Sequence, residues 1–318
     1  MSSNEVDAVV DSIVPGVKAG NRSAVARALN LVEDRRPDSR PIIATLLRAL
    51  GSGRAGGHRV GLTGAPGVGK STLASALAGA LRWGGTTVGV LAVDPTSKRS
   101  GGALLGDRAR IDTPMNDEGR FIRSLAAAGE LGGLARAAPA AVMVLAAAFD
   151  RVIVETVGVG QSETDVEYVV DTVVLVVQPS SGDALQFLKA GIVEIPDLVV
   201  VNKSDVGEAA AQAQAELLAV LRPRAGVSRA AYPHPEVVLA SAARAEGIDD
   251  VLRAIERHRR AQNDSGALVE RRIQGQIEWG LRERVRRIGE EGLEREGGRI
   301  AVRARIETLV RLSFQSFA

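Results

Sequence analysis

Gly64-Ala65-Pro66-Gly67-Val68-Gly69-Lys70-Ser71 meets every constrained position of the phosphate-loop pattern G-x-x-x-x-G-K-[ST]. Upstream, Arg59-Val60-Gly61-Leu62-Thr63 has the apolar character of a short buried strand; downstream, Ser71 to Leu81 reads as a helix with Leu73, Leu77 and Ala80 on one side. In that context, backbone N–H groups and a helix N-terminus form a cavity for a polyphosphate. Lys70 is expected to reach the β- and γ-phosphates and the Ser71 hydroxyl to bind Mg²⁺, with Thr72 next along the helix.

Working outward, 318 residues suffice for one large α/β domain with appendages, or for two domains. Hydrophobic content of 45% and a charged fraction of 25% are those of a globular protein that can bury a core. Forty basic against 38 acidic side chains give a net charge of +2, which does not suggest a nucleic-acid surface. The absence of cysteine excludes a disulfide framework, a Cys-based zinc site and thiol chemistry. Glu5, Asp7 and Asp11 near the start do not resemble the basic opening of a secretory signal, and no apolar run is long enough to cross a bilayer. The expectation is a cytoplasmic protein.

Val6, Val9, Val10, Ile13 and Val17 fall at helical spacing, as do Val25, Leu29 and Val32, and then Ile42, Leu46, Leu47 and Leu50 after Pro37 and Pro41. Residues 1–50 are therefore expected to form a helical cap. Strand-length apolar runs then alternate with helical stretches from 51 to 262, the signature of a mostly parallel sheet covered by helices on both faces. Six strands are predicted: Val60 to Thr63, Thr87 to Val93, Arg151 to Thr156, Thr172 to Gln178, Leu198 to Asn202 and Val237 to Ala240. From 263 to 318, Ile273, Ile277, Leu281, Val285 and Ile288, then Ile300, Ile306, Leu309 and Leu312, give an intermittently apolar face among Arg and Glu residues. Such an arm needs an apolar partner, either the N-terminal cap or a second subunit, and dimerisation is the expectation.

The polar motifs lie at the C-terminal ends of the predicted strands, where ligands bind in open α/β sheets. Asp94-Pro95-Thr96-Ser97 reads either as a turn or as a metal ligand, and the phosphate loop favours the ligand; Asp107 reads as a second candidate or as a helix cap. Glu155 at the tip of a neighbouring strand suits the acid that holds Mg²⁺ directly or through water, and Gly158 lets a backbone N–H approach the γ-phosphate. In Asn202-Lys203-Ser204-Asp205 the Asp carboxylate can accept both N1–H and the exocyclic amine of guanine, while Asn202 braces the loop and the Lys203 stem lies along the base. After the last strand, Ser241, Ala242 and Ala243 offer a backbone N–H to guanine O6. From the residues alone, the stretch from Gln178 to Lys189 is a loop and helix start with Asp183 near the cap.

The combination of Gly64 to Ser71, Asp94-Pro95-Thr96-Ser97 with Gly106-Asp107, Glu155-Thr156-Val157-Gly158-Val159-Gly160-Gln161-Ser162-Glu163, and Asn202 to Asp205 closely resembles the MeaB/ArgK family of P-loop GTPases. That resemblance implies a homodimeric GTPase chaperone that gates adenosylcobalamin delivery to methylmalonyl-CoA mutase and protects or reactivates the enzyme. It further implies Mg²⁺ and catalytic-site roles for Asp94, Asp107 and Glu155, and places Asp183 and Lys189 on a switch near the nucleotide. Asp-Pro-Thr-Ser departs mildly from the family's usual Asp-Pro-Ser-Ser.

A GTP-hydrolysing switch is thus the leading reading, with slow turnover because no water-orienting Gln is evident. A nickel-type metal-insertion GTPase would carry His- or Cys-rich clusters, whereas His58, His234 and His258 are scattered in sequence. Against a small-molecule ATP-dependent kinase stands Asp205. His58 also lacks the upstream Asp of the cobalamin pattern D-x-H-x-x-G, so no direct cobalamin site is expected.

Overall fold

Residues 3–51, 57–94, 117–126, 135–156, 165–179, 195–221 and 235–315 are described by a computed structural model of the chain. Among them β1 (His58–Thr63), β2 (Val88–Asp94), β3 (Arg120–Ala126), β4 (Arg151–Glu155), β5 (Thr172–Val177), β6 (Leu198–Val201) and β7 (Glu236–Leu239) form one sheet. Its order is β3-β2-β4-β1-β5-β6-β7 and every pairing is parallel. β1 and β5 are buried along their whole length, as their unbroken apolar character requires for strands covered on both faces.

Six of the seven strands answer to the predicted ones; β3 is the addition. Its sequence, Arg-Phe-Ile-Arg-Ser-Leu-Ala, has no continuous apolar run because among the described residues it pairs on one side only, with β2. Phe121 and Leu125 face the core, while the N-terminal helices cover the strand. Arg22 donates to the Arg120 carbonyl, and Arg123 pairs with Glu33 and donates to Asn30.

On one face of the sheet, α1 (Ser3–Asp11), α2 (Val14–Lys18), α3 (Arg22–Glu33), α4 (Ser39–Leu50) and α6 (Ala138–Ala148) share a single apolar cluster with Leu91, Val93, Val152, Val154 and Val173. The first predicted helical run is two helices, with Pro15 in the opening turn of the second. Asn21 caps α3, its Oδ1 accepting from the N–H groups of Ser23 and Ala24. On the other face lie α5 (Lys70–Trp83) and α8 (Ile248–Asp264), while α7 (Glu208–Leu221) covers β5, β6 and β7. The arm consists of α9 (Ala267–Arg295), kinked at Gly289, and α10 (Gly298–Gln315) folded back against it. Arm residues Ile273 and Ile277 are buried, and α9 packs on the short 3-10 turn Val166–Tyr168 that leads into β5. Among the described residues no helix is long and apolar enough to cross a membrane.

The end of the sheet opposite the phosphate loop holds a buried polar network. Asp171 is fully buried; its carboxylate accepts from the Arg59 amide at 2.9 Å and takes a two-pronged grip from Arg272 at 2.8 and 2.7 Å. Burial opposes an ionised Asp171, but the hydrogen bonds and charge of Arg272 outweigh it and hold the carboxyl below the usual range. Although distant in sequence, His58 and His258 meet here through the Thr172 hydroxyl, at 2.7 and 2.8 Å. His234 lies outside the described residues.

Burial pushes His58 down to about 3, so the folded chain refuses a proton that the unfolded chain accepts near pH 6.5. The stability linked to a neutral His58 is complete above pH 6.5 and is lost as the pH falls towards 3. Between pH 6.5 and 5 the loss is about 2 kcal/mol. Thermal melts over that interval are expected to show a clear decline, and His58→Gln, which cannot take up the proton, should give a flatter curve.

Candidate functional site

At the C-terminal edge of the sheet, β1 runs into residues 64–69 and α5 starts at Lys70. Two of the loop glycines are enforced by contact as well as by conformation. Gly64 has φ +139° and a Cβ there would lie 2.1 Å from the Val176 carbonyl oxygen; Gly69 has φ +95° and a Cβ would lie 2.4 Å from Asn202 Nδ2. Pro66 and Gly67 are exposed at the crest, Ala65 is partly exposed, and Val68 is tucked into the core beneath α5. Lys70 is buried, its ammonium donating to the carbonyls of Gly64 at 2.8 Å and Ala65 at 3.0 Å. Thr72 is exposed in the first turn of α5.

The Ser71 hydroxyl donates to Glu155 Oε1 at 2.5 Å. Glu155 ends β4, opposite Leu62 of β1 and Ala92 of β2, which puts Asp94 two residues farther along β2 at the same edge. Thr156, next in the chain, is tied to the Leu62 carbonyl through its amide at 3.1 Å and its hydroxyl at 3.2 Å. Ser71 and Glu155 present hard oxygen donors in contact with each other at a helix start, the chemistry a Mg²⁺ site requires. Asp107, Gly158, Asp183 and Lys189 lie outside the described residues.

Across the same rim, Asn202 links three segments. Its amide nitrogen donates to the Val68 carbonyl at 2.8 Å, and its side-chain oxygen accepts from the Ala242 amide at 3.0 Å. Lys203 adopts φ +60°, an uncommon conformation for a residue with a side chain, and its ammonium reaches the Gly67 carbonyl at 2.8 Å. Asp205 accepts from the Ser241 hydroxyl at 2.7 Å, and this bond lowers its pKa below the usual carboxylate range. Ala243 follows in the turn after β7. Phosphate loop, Asn202-to-Asp205 stretch and Ser241-to-Ala243 turn therefore converge on one surface, with spacing fixed by hydrogen bonds.

Sequence reasoning placed Gln178 at the end of a strand and the start of a loop and gave it no part in the site. It follows β5, and its Oε1 accepts from Lys203 at 2.6 Å, so it helps to hold that stem across the rim. Its position directly after a central apolar strand was the only signal available.

Residues 25–294 match the family described as methylmalonyl Co-A mutase-associated GTPase MeaB. The chain belongs to the MeaB family. It is 42% identical over 286 residues to a probable GTPase of Mycobacterium tuberculosis, covering 88% of this chain and 83% of that protein. Identity to the GTPase ArgK of Escherichia coli is 37% over 276 residues, covering 86% and 83% of the two chains. The mouse mitochondrial methylmalonic aciduria type A homolog is also 37% identical, over 85% of this chain and 68% of its own length. Among solved structures, a LAO/AO transport system kinase superimposes with a TM-score of 0.67 at 31% identity, covering 88% of this chain and 84% of that one. This MeaB-family protein is accordingly a P-loop GTPase.

Proposed function

We propose that this MeaB-family GTPase works as a Mg²⁺-dependent switch that gates adenosylcobalamin loading of methylmalonyl-CoA mutase and protects or reactivates that enzyme. The observation that carries the nucleotide half is the Asn202 bridge, which ties the base-reading turn to the phosphate loop. The mutase half rests on the family's description and on the mouse relative's name.

In this reading Gly64 to Thr72 cradle the triphosphate, Lys70 moves its ammonium from the Gly64 and Ala65 carbonyls to the β- and γ-phosphates, and Asp205 reads guanine. Ser71, Glu155 and Asp94 would hold Mg²⁺, with Asp107 as a further ligand, and the ion would supply positive charge against the phosphates. Gly158 and Lys189 act near the γ-phosphate, and Asp183 belongs to the same switch. The chain's own contribution is positioning and charge stabilisation, which fits slow intrinsic turnover that a partner accelerates by ordering the switch. Ile300, Leu309 and Leu312, exposed by 86%, 69% and 55% on α10, support pairing of two arms as a homodimer. A cytoplasmic location completes the proposal.

The experiment is affinity capture with the full chain on the support, loaded with GDP or with a non-hydrolysable GTP analogue. Purified methylmalonyl-CoA mutase is expected to be retained, with a yield that differs between the two nucleotides. Equal or absent retention in both states would remove the mutase half and leave the nucleotide half standing.

A further inference from the structure

Between the helical cap and the arm lies a hollow of about 750 Å³, within the size range of sites for small organic ligands. No residue of the phosphate loop lines it. The cap wall runs from Val32 at the end of α3 to Arg40 of α4, and the arm wall is made by α9 from Gly280 to Arg287 and by α10 from Val302 to Leu309. Val32, Leu125 and Val302 are buried along its sides and Ile306 is half-buried, so part of the lining is apolar. The charged part is unbalanced. Among the described residues, six arginines and four acids line the hollow. Each acid is already taken: Glu33 by Arg123, Asp34 by Arg36 and the Ser39 hydroxyl, Glu283 by Arg136, and Glu296 by Arg284 and Arg305. Arg35, Arg40 and Arg287 are left over; among the described residues none of these guanidinium groups makes an ion pair or a hydrogen bond. A single exposed arginine is ordinary. Three around one concavity repel one another, and the low-dielectric walls focus their field into it.

We propose that this hollow binds a small amphipathic anion: a carboxylate or phosphate head on an apolar body. The planar forks of Arg35, Arg40 and Arg287 match the oxygens of such a head, and the apolar side chains of Val32, Leu125, Val302 and Ile306 take the body out of water. Neither half suffices alone. A bare inorganic anion leaves the apolar lining uncovered, and a neutral hydrocarbon leaves the three cations unanswered. Because Arg35 and Arg40 stand on the cap and Arg287 on the arm, a ligand held by both walls ties one to the other and stabilises the folded chain.

The test titrates octanoate and octyl phosphate into the full chain by calorimetry, with GDP and Mg²⁺ present throughout and the melting temperature followed in parallel. At least one of the two is expected to bind about tenfold or more tightly than octanol, acetate or inorganic phosphate, and to raise the melting temperature; the tighter of the two names the head group. Arg35→Ser/Arg287→Ser should weaken that binding about tenfold or more. Arg253→Ser/Arg257→Ser removes two exposed charges from α8, on the other face of the sheet, and should change it by less than about twofold. All four arginines are exposed, so both double variants should fold, and their melting temperatures without probe check this. A wild-type chain that binds neither probe overturns the proposal, and so does an Arg35→Ser/Arg287→Ser chain that binds as tightly as the wild type. A wild-type dimer that dissociates on Arg35→Ser/Arg287→Ser, with no probe bound by either chain, would give the hollow to a second copy and overturn it as well.

Discussion

Lys70→Ala loses GTP affinity by about 3–5 kcal/mol, two to three and a half powers of ten, while the chain still folds. Lys70 is buried at the start of α5, and its ammonium already sits on the rim of the cradle, on the carbonyls of Gly64 and Ala65. Truncating the one cation of the loop removes the direct counter-charge that the chain itself offers to the phosphate oxygens. Thermal melts give a second view. GTP at a hundred times the wild-type Kd should stabilise the wild type by about 2.7 kcal/mol and leave Lys70→Ala unmoved. An unchanged affinity in the variant would show that the polyphosphate is held elsewhere.

Asp205→Asn should alter which purine is bound rather than whether the loop binds phosphate. With its pKa lowered by the Ser241 hydroxyl, Asp205 is an ionised acceptor matched to the two N–H groups along one edge of guanine. Each hydrogen bond to a charged group is worth about 1.5–3 kcal/mol, so losing the match costs GTP about a hundredfold or more in affinity. Xanthine carries a carbonyl where guanine carries its amine, and an Asn side chain offers one acceptor and one donor in that order. The variant is therefore expected to prefer xanthosine triphosphate, measured by competition against labelled GDP. If wild type and variant instead bound ATP as well as GTP, base recognition would not reside in this stretch.

Much of this was readable because its physics is local. The loop glycines, Lys70 and Ser71 are adjacent in sequence, and the strands beneath them are continuous apolar runs. β3 was missed because a strand paired, among the described residues, on one side only can carry Arg120, Arg123 and Ser124 in a seven-residue span. The meeting of His58 with His258 was equally hidden: it depends on β1, β5 and α8 sharing one end of the sheet, and scattered positions in the chain give no hint of it. Asn202 was expected to brace its own loop, and it does more by reaching Val68 and Ala242. Gln178, read as a strand end and loop start, was given no part in the site because only the fold sets it against Lys203.

The salt link between Asp171 and Arg272, 101 positions apart, bears on how the protein is made. During synthesis β1 to β7 leave the ribosome before Arg272 does, so the nascent sheet carries a buried carboxylate at its base that has the Arg59 amide but lacks the two-pronged grip of Arg272. Stranding that carboxylate costs about 3–5 kcal/mol, a large share of the stability of an ordinary domain. Full consolidation of the sheet is therefore expected only once the chain has emerged to Arg272, within its last sixth, and a chain truncated ahead of Arg272 is expected to melt at a lower temperature than the full one.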